Sequence, residues 1–355
     1  MNVILVGSLP PPTGGISRWT QRMLSEHLPD GWNIKLVNDS IIGARDVFGD
    51  NVRYNYLKEF KRWLGVSVHL FKACFLKQTP VVHLCPIASG KSMAAYCLLA
   101  GISRMCRKKV IIHFRCTVPN MVKTPTQKVL LKLLCSLSNQ IIALNSQTLK
   151  YLERVTSTPI VVIPNFVDTE EVSFDKEISD TCGLVLYVGG VIKEKGCDHI
   201  VEIAKRTPDI QYRLVGQSTA EVREMAHGLK NVCFVGLKDK KGVMEEMQTA
   251  DLFFFLSRFS GEGFSNAVVE AMAAGLPCVV TDWAANADQI EDGKGGIVVG
   301  SDVVEDAILA LDRLKDQKLR QAFSTFNKEK VKKYYASNIV IEQYTNLYNL
   351  LAVRK

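Results

Sequence analysis

No stretch of about 18 uncharged apolar residues occurs in this 355-residue chain, so the signal of a membrane-spanning helix is missing. None of the ten cysteines (Cys74, Cys85, Cys97, Cys106, Cys116, Cys135, Cys182, Cys197, Cys233 and Cys278) forms a C-x-x-C pair, and most lie inside apolar runs. That spacing fits buried thiols in a reducing compartment, not a disulfide frame or a zinc site. There is no G-x-G-x-x-G, so a dinucleotide cofactor is not indicated. There is no D-x-D pair and no His/Cys cluster, and Asp180, Asp288 and Asp292 are isolated loop acids; no metal is expected. The opening MNVILVGSLPPP lacks a basic n-region and a small-residue cleavage site, and reads as a first strand, not a leader. Acidic residues are scarce in one half only. Residues 1–160 hold 7 Asp/Glu against 21 Lys/Arg, a net of +14, whereas residues 161–355 hold 29 against 23, a net of −6.

What is present points to two α/β domains. Apolar residues make up 47% of the chain, which excludes disorder, and the length suits two cores. Short apolar runs alternate with longer helical patterns. Strands are predicted at residues 2–6, 81–84, 110–114, 140–144 and 159–163, with helices at 16–26, 91–106 and 126–136. A second series of strands follows at 184–188, 211–215, 232–235, 252–256, 278–281 and 296–299, with helices at 197–206, 245–249, 265–274, 303–315 and 336–351. This order predicts two Rossmann-like, doubly wound parallel sheets. The expected division is 1–165 and 166–335, joined near 164–182, with a final helix in 336–355 packing back on the first domain. Such sheets bind ligands at the C-terminal ends of their strands, and a site between the domains is expected.

The richest segment is SRFSGEGFSNAVVEAMAAGLPCVVTDWAANADQIEDGKGGIVV, residues 257–299. Gly261 and Gly263 let backbone approach a ligand, and the following amides open a helix, where anions are favoured. Glu262 beside them can accept hydrogen bonds from sugar hydroxyls, and Glu270, further along that helix, can grip a ribose diol. Donors for phosphate and acceptors for hydroxyls are together what a nucleotide-sugar requires.

The E-x7-E element, the helix EAMAAGLP, the strand CVVTD and the closing EDGKGGIVV resemble, in order and spacing, the signature of family-4 retaining glycosyltransferases (glycosyl transferases group 1) of the GT-B fold. The resemblance implies that Glu262 contacts the donor sugar, Glu270 the donor ribose, and the amides of Gly263, Phe264 and Ser265 the sugar and phosphate. LYVGGVIKEKGCDHIVEIA, residues 186–204, is similar to the family's strand–turn–helix with a basic pair on the diphosphate. Lys195 matches its lysine; its arginine position is Gly190 here, and Lys193 is a lesser substitute, since an ammonium makes no bidentate fork. LVGQS and CFVGL resemble the strand ends framing the base, with Gly216, Gly236 and Leu237 there; structural turn glycines are the alternative. Gly14 and Gly15 form the turn after the first strand, which the resemblance places beside the donor phosphates; a plain tight turn is the other reading. In VIIHFRCTVP, residues 110–119, the family's His-Gly is Arg115-Cys116, with His113 two residues earlier on the same strand face. Arg115 is the first candidate for the charge-stabilising residue, His113 the second, with a core histidine as the alternative.

The resemblance implies a retaining transfer from a UDP- or GDP-sugar to a hydroxyl of a glycan or lipid-linked acceptor, as in bacterial surface polysaccharide or lipopolysaccharide synthesis, without cofactor or metal. The alternatives are a non-glycosylating GT-B enzyme (a sugar-nucleotide epimerase or phosphorylase) and an inactive GT-B scaffold, which Gly190 and Arg115 would suit. Residues 54–77 and 121–134 mix basic, aromatic and aliphatic residues at helical spacing. Either they are ordinary surface helices or they lie on an anionic bilayer, so the expected location is cytoplasmic with peripheral contact at the inner face of the plasma membrane. No RNA-type aromatic–basic signature is visible, and nucleic acid is not an expected partner.

Overall fold

The computed structural model describes residues 1–11, 14–40, 56–168 and 176–353. Pro12 and Thr13 of the first turn, Tyr54 and Asn55 of the basic segment 54–77, and residues 169–175 of the joint lie outside the described residues. The chain divides into two compact units: Met1–Asn165 with Asn338–Lys355, and Phe166–Ser337.

The first unit is built on the strands β1 (Asn2–Gly7), β2 (Asn33–Asn38), β3 (Val81–Leu84), β4 (Lys109–His113), β5 (Gln140–Ala143) and β6 (Ile160–Val162). They form one parallel sheet in the order β2-β1-β3-β4-β5-β6. β1, β3, β4 and β5 are buried almost throughout, because helices cover both faces of a parallel sheet and the strands become unbroken apolar runs. The helices Tyr56–Cys74, Gly90–Met105 and Pro125–Ser136 pack side by side in one layer. The last helix, Ser337–Val353, belongs to this unit from Asn338 onward. Trp32 Nε1 donates to Asn349 Oδ1 (2.7 Å), and Tyr344 packs edge-on against Trp19 with centroids 5.9 Å apart.

The second unit holds β7 (Leu184–Val188), β8 (Gln211–Val215), β9 (Val232–Gly236), β10 (Leu252–Phe255), β11 (Cys278–Thr281) and β12 (Gly296–Val299). This sheet is also parallel, in the order β12-β11-β10-β7-β8-β9. Numbered within the unit and read from the other edge, that is 3-2-1-4-5-6, the dinucleotide-fold order, whose direction reverses between its first and fourth strands. Both sheets thus match the predicted doubly wound class. No helix among the described residues is long and apolar enough to cross a membrane.

Several elements escape the sequence pattern, among them an edge strand and a polar helix. β2, NIKLVN, is an edge strand whose residues are exposed or half-buried apart from Val37, so it lacks the buried run that marks its neighbours. The helix Gln317–Tyr334 is rich in Lys, Gln and Glu and is held by Arg320, whose guanidinium is buried and donates to the carbonyls of Leu314 (2.7 Å) and Ser179 (2.5 Å).

Candidate functional site

The reversal in the second sheet lies between β7 and β10, and a crevice opens where the loops after two such strands part company. Lys195 stands on the loop after β7, in the single turn Lys193–Lys195. Glu262 stands on the loop after β10. Fold and spacing bring them together: Lys195 Nζ lies 3.5 Å from Glu262 Oε2, both side chains half-buried. Oε2 itself is buried and accepts no hydrogen bond among the described residues. The ion pair with Lys195 offsets part of its burial, yet native chains keep few buried acceptors without a hydrogen bond.

The two loops are fastened to each other by backbone. Gly196 has φ +79°, and a Cβ there would sit 2.0 Å from the Leu256 carbonyl oxygen, so only glycine lets the turn cross the end of β10. The Arg258 amide donates to the Glu194 carbonyl (2.8 Å), and its guanidinium forks onto Asp198 (3.0 and 2.6 Å). Phe259 O accepts from both the Glu262 amide (3.0 Å) and Trp283 Nε1 (2.8 Å), which pins the loop carrying the carboxylate. The Phe259 ring faces Lys195 Nζ at 5.7 Å. Sequence reading missed Arg258, Asp198 and Trp283. The Trp283 bond spans 24 positions and the Arg258 fork 60, and no local spacing announces either.

Other expected residues are placed less simply. Glu270 is 5% exposed on the helix Asn266–Ala273. Ser265 caps that helix through its Oγ, and its amide donates to Gln289 Oε1 (3.2 Å) while Gln289 Nε2 donates to Ser265 O (2.8 Å). This corrects the expectation of an open amide at Ser265: the Gln289 side chain already occupies it. Gly263 is buried before the helix, and the Phe264 ring packs edge-on against Tyr335 at 5.5 Å. Lys193 Nζ is paired with Glu221 (2.5 Å) at the exposed surface, so it does not replace the missing arginine. At Gly190 the carbonyl accepts from Tyr187 Oη (2.8 Å). Gly216 has a packing reason to be glycine, since its φ is +140° and a Cβ would lie 1.8 Å from Gly189 O. Gly236 ends β9 with φ +83° in open space, and Leu237 beyond it is 78% exposed.

In the first unit, Gly14 and Gly15 lead into the helix Gly15–Ser25, with the Gly14 amide donating to Ser17 Oγ (2.9 Å). A Cβ at either glycine would meet nothing within 4 Å, so steric fit does not require glycine at these exposed positions. Arg115 and His113 are deeply placed. His113 is fully buried on β4, and Arg115 is 5% exposed. Arg115 Nη1 donates to His113 Nε2 (2.9 Å), Nη2 donates to Asn165 Oδ1 (2.7 Å), and the guanidinium lies 4.1 Å from the Trp19 ring centroid. This corrects the expectation of Arg115 as an open charge-stabilising residue and matches the core-histidine alternative for His113: their polar atoms are engaged in the core, apart from the buried Arg115 Nε, which has no hydrogen-bond partner among the described residues.

The chain of bonds continues inward. His113 Nδ1 lies 3.1 Å from His83 Nε2, and His83 Nδ1 lies 2.8 Å from Tyr348 Oη. Since His113 Nε2 accepts from arginine, its proton sits on Nδ1 and is donated to His83, whose own proton faces Tyr348. Burial, then the Arg115 guanidinium, pushes His83 down to about 3 from 6.5 and His113 well below that ordinary value. His83, Cys85 and His113 are close enough together to hold a metal ion. Yet a guanidinium donates into the group and burial raises Cys85 to about 12, so the donor set fits a neutral hydrogen-bonded core, not a cation site.

A pH dependence follows. The folded histidines stay neutral while the unfolded ones protonate near the ordinary 6.5, so the unfolded state binds more protons below that value. Stability is therefore complete above it and falls on acidification, by up to about 1.4 kcal/mol per pH unit for each histidine, with His83 contributing down to about 3. Denaturant midpoints taken from about pH 7.5 to about pH 5 should drop, and His83→Gln should flatten the slope by one histidine's share. An unchanged slope in the variant would contradict the neutral core.

Parts of the chain resemble known proteins. Residues 168–330 match the family described as Glycosyl transferases group 1. The chain is 29% identical over 224 residues to a phosphatidyl-myo-inositol mannosyltransferase of Mycobacterium leprae, covering 59% of each chain. It is 26% identical over 208 residues to an N-acetyl-alpha-D-glucosaminyl L-malate synthase of Bacillus anthracis, covering 53% of each. The matched stretch therefore spans little more than half the length of these curated relatives. In fold it resembles a sucrose-phosphate synthase from Thermosynechococcus elongatus (TM-score 0.80, 16% identity, 100% of both chains). It also resembles Anabaena HepE in complex with UDP-glucose (TM-score 0.72, 14% identity, 99% of this chain and 100% of that one). The β7/β10 site lies within this matched segment, which resembles the glycosyl transferases group 1 family.

Proposed function

We propose that this chain transfers a hexosyl group from a UDP- or GDP-sugar to a hydroxyl of a glycan or lipid-linked acceptor, with retention at the anomeric carbon, in surface polysaccharide synthesis. The observation that carries the proposal is the buried Glu262 Oε2, which accepts no hydrogen bond among the described residues and is ion-paired with the Lys195 ammonium at the sheet's reversal point. The carboxylate oxygen is an acceptor waiting for a sugar hydroxyl. The ammonium is a fixed positive charge for the diphosphate, whose negative charge grows as the anomeric C–O bond breaks. Glu270 serves the ribose. The departing diphosphate oxygen takes the acceptor's proton as the new C–O bond forms on the same face. Positive charge comes from Lys195 and backbone amides, and the reading invokes no metal. The mannosyltransferase likeness favours a lipid acceptor, and the UDP-glucose complex of HepE a nucleotide-sugar donor. Work on a lipid acceptor would put the protein at the inner face of the membrane as a peripheral, cytoplasmic enzyme.

A donor screen tests this. Of UDP-glucose, UDP-galactose, UDP-N-acetylglucosamine and GDP-mannose, one should raise unfolding stability by about 2.7 kcal/mol at 100 times its dissociation constant and support turnover. Glu262→Ala should keep the fold and lose transfer. Near-normal turnover in that variant would refute the site. Stabilisation by none of the four, nor by UDP or GDP, would leave the inactive scaffold, which the missing side chain at Gly190 favours.

A further inference from the structure

The helix Tyr56–Cys74 is apolar on two sides, and only one of them has a neighbour among the described residues. Val66, Leu70 and Cys74 are buried against the sheet and the adjoining helix. A second set, Leu57, Phe60, Leu64, Val68 and Phe71, with Phe75 just beyond the helix, is exposed, Phe60 by 66% and Phe75 by 70%. At 3.6 residues per turn these positions fall within an arc of about 80°, one continuous stripe. Lys58, Lys61 and Lys72 are exposed in the next sector, on the side away from the buried face. Neither Lys61 nor Lys72 has an ion-pair partner among the described residues. The neighbouring helices continue the pattern outward, with Leu98 and Met105 exposed on one and Val129 and Leu133 on the other, the latter beside the exposed Lys128 and Lys132.

The charge around this face is one-sided. Between residues 51 and 152 the sequence holds 16 Lys/Arg and a single acid, Glu59, which is itself paired with Arg62 at 2.7 Å. Exposed leucine and phenylalanine have nothing to gain from a nucleic-acid backbone, and a protein partner would need both a matching groove and a matching acidic rail. A bilayer bearing anionic headgroups supplies both at once: acyl chains for the stripe and phosphates at the depth of the lysines. We propose that the outer face of the helix Tyr56–Cys74 docks this protein on an anionic membrane, with Leu57, Phe60, Leu64, Val68, Phe71 and Phe75 at the headgroup–acyl boundary.

This inference rests on the peripheral, membrane-facing part of the proposed function and not on the transfer chemistry. Its test uses the full chain with vesicles of phosphatidylcholine alone or with about one-third phosphatidylglycerol, read by flotation. Binding is expected on the anionic vesicles at low salt, weakening as salt screens the lysines. Leu64→Glu with Phe71→Glu should lower partitioning at least about tenfold on these vesicles. Lys61→Ala and Lys72→Ala should each lower it about fivefold at low salt. Donor-induced stabilisation, followed in parallel, should persist in all these variants, so failure of docking and failure of the donor site are read separately. The proposal is overturned if the parent fails to float with anionic vesicles at low salt, or if the double glutamate variant floats as the parent does. It is equally overturned if sedimentation shows a dimer broken by the glutamates without any vesicle binding.

Discussion

Lys195→Ala is expected to lower the kcat of transfer about 10²–10³-fold, with a smaller rise in KM. The asymmetry has an electrostatic origin. The diphosphate is already anionic when the donor binds, but it gains charge as the glycosidic bond lengthens, and a fixed cation stabilises the later state more. A unit charge about 4 Å away in a partly solvated site is worth up to about 4 kcal/mol, the upper end of the expected loss. The substitution has a second consequence, because Glu262 Oε2 lies 3.5 Å from Lys195 Nζ. Without the ammonium, a half-buried carboxylate faces the incoming phosphates uncompensated, so donor affinity also falls. Lys195→Arg keeps the charge and should recover a good part of the rate. Single-turnover measurement with the donor found in the screen separates the terms. A kcat within about threefold of the parent in Lys195→Ala would remove the ammonium from the mechanism.

Gly216→Ala carries the largest expected loss of stability, about 3–5 kcal/mol, combining backbone strain with overpacking. The Cβ would fall 1.8 Å from Gly189 O at a φ of +140°. Neither partner can yield easily, because the Gly216 amide donates to Gly236 O (2.8 Å) and the Gly189 amide to Val215 O (2.9 Å). The second unit should melt about 10 °C lower or more. Gly236→Ala is the matched control. Its φ of +83° is as unwelcome to a side chain, but a Cβ there meets open space, so only the conformational loss of about 1–2 kcal/mol applies. Equal melting temperatures for the two variants would show that the close approach of the two loops does not govern stability there.

These residues also mark how far sequence alone reaches. The strands β3, β7, β8, β11 and β12 were legible to the residue, because strands covered on both faces leave short apolar runs bounded by turns. β2 was not, since an edge strand alternates too weakly and carries asparagine at both ends. In the site, Lys195 and Glu262 were legible through local spacing and family likeness. Their 3.5 Å approach depends on non-local features: the strand order, the crossing at Gly196 and the Arg258–Asp198 fork. Arg115 misleads for a related reason. An arginine just past a strand's C-terminal end reads as an open group, and only the packing against Trp19 shows that it is enclosed, whereas His113 fits the core-histidine alternative.

That returning helix imposes an order on synthesis. Tyr344, Tyr348 and Asn349 complete a hydrophobic and hydrogen-bonded centre whose other members, Trp19, Trp32 and His83, leave the ribosome hundreds of residues earlier. The nascent first unit must wait with an unsealed interior while the entire second unit is translated. Its final closure follows translation of the second unit, and chaperone dependence should centre on that interval.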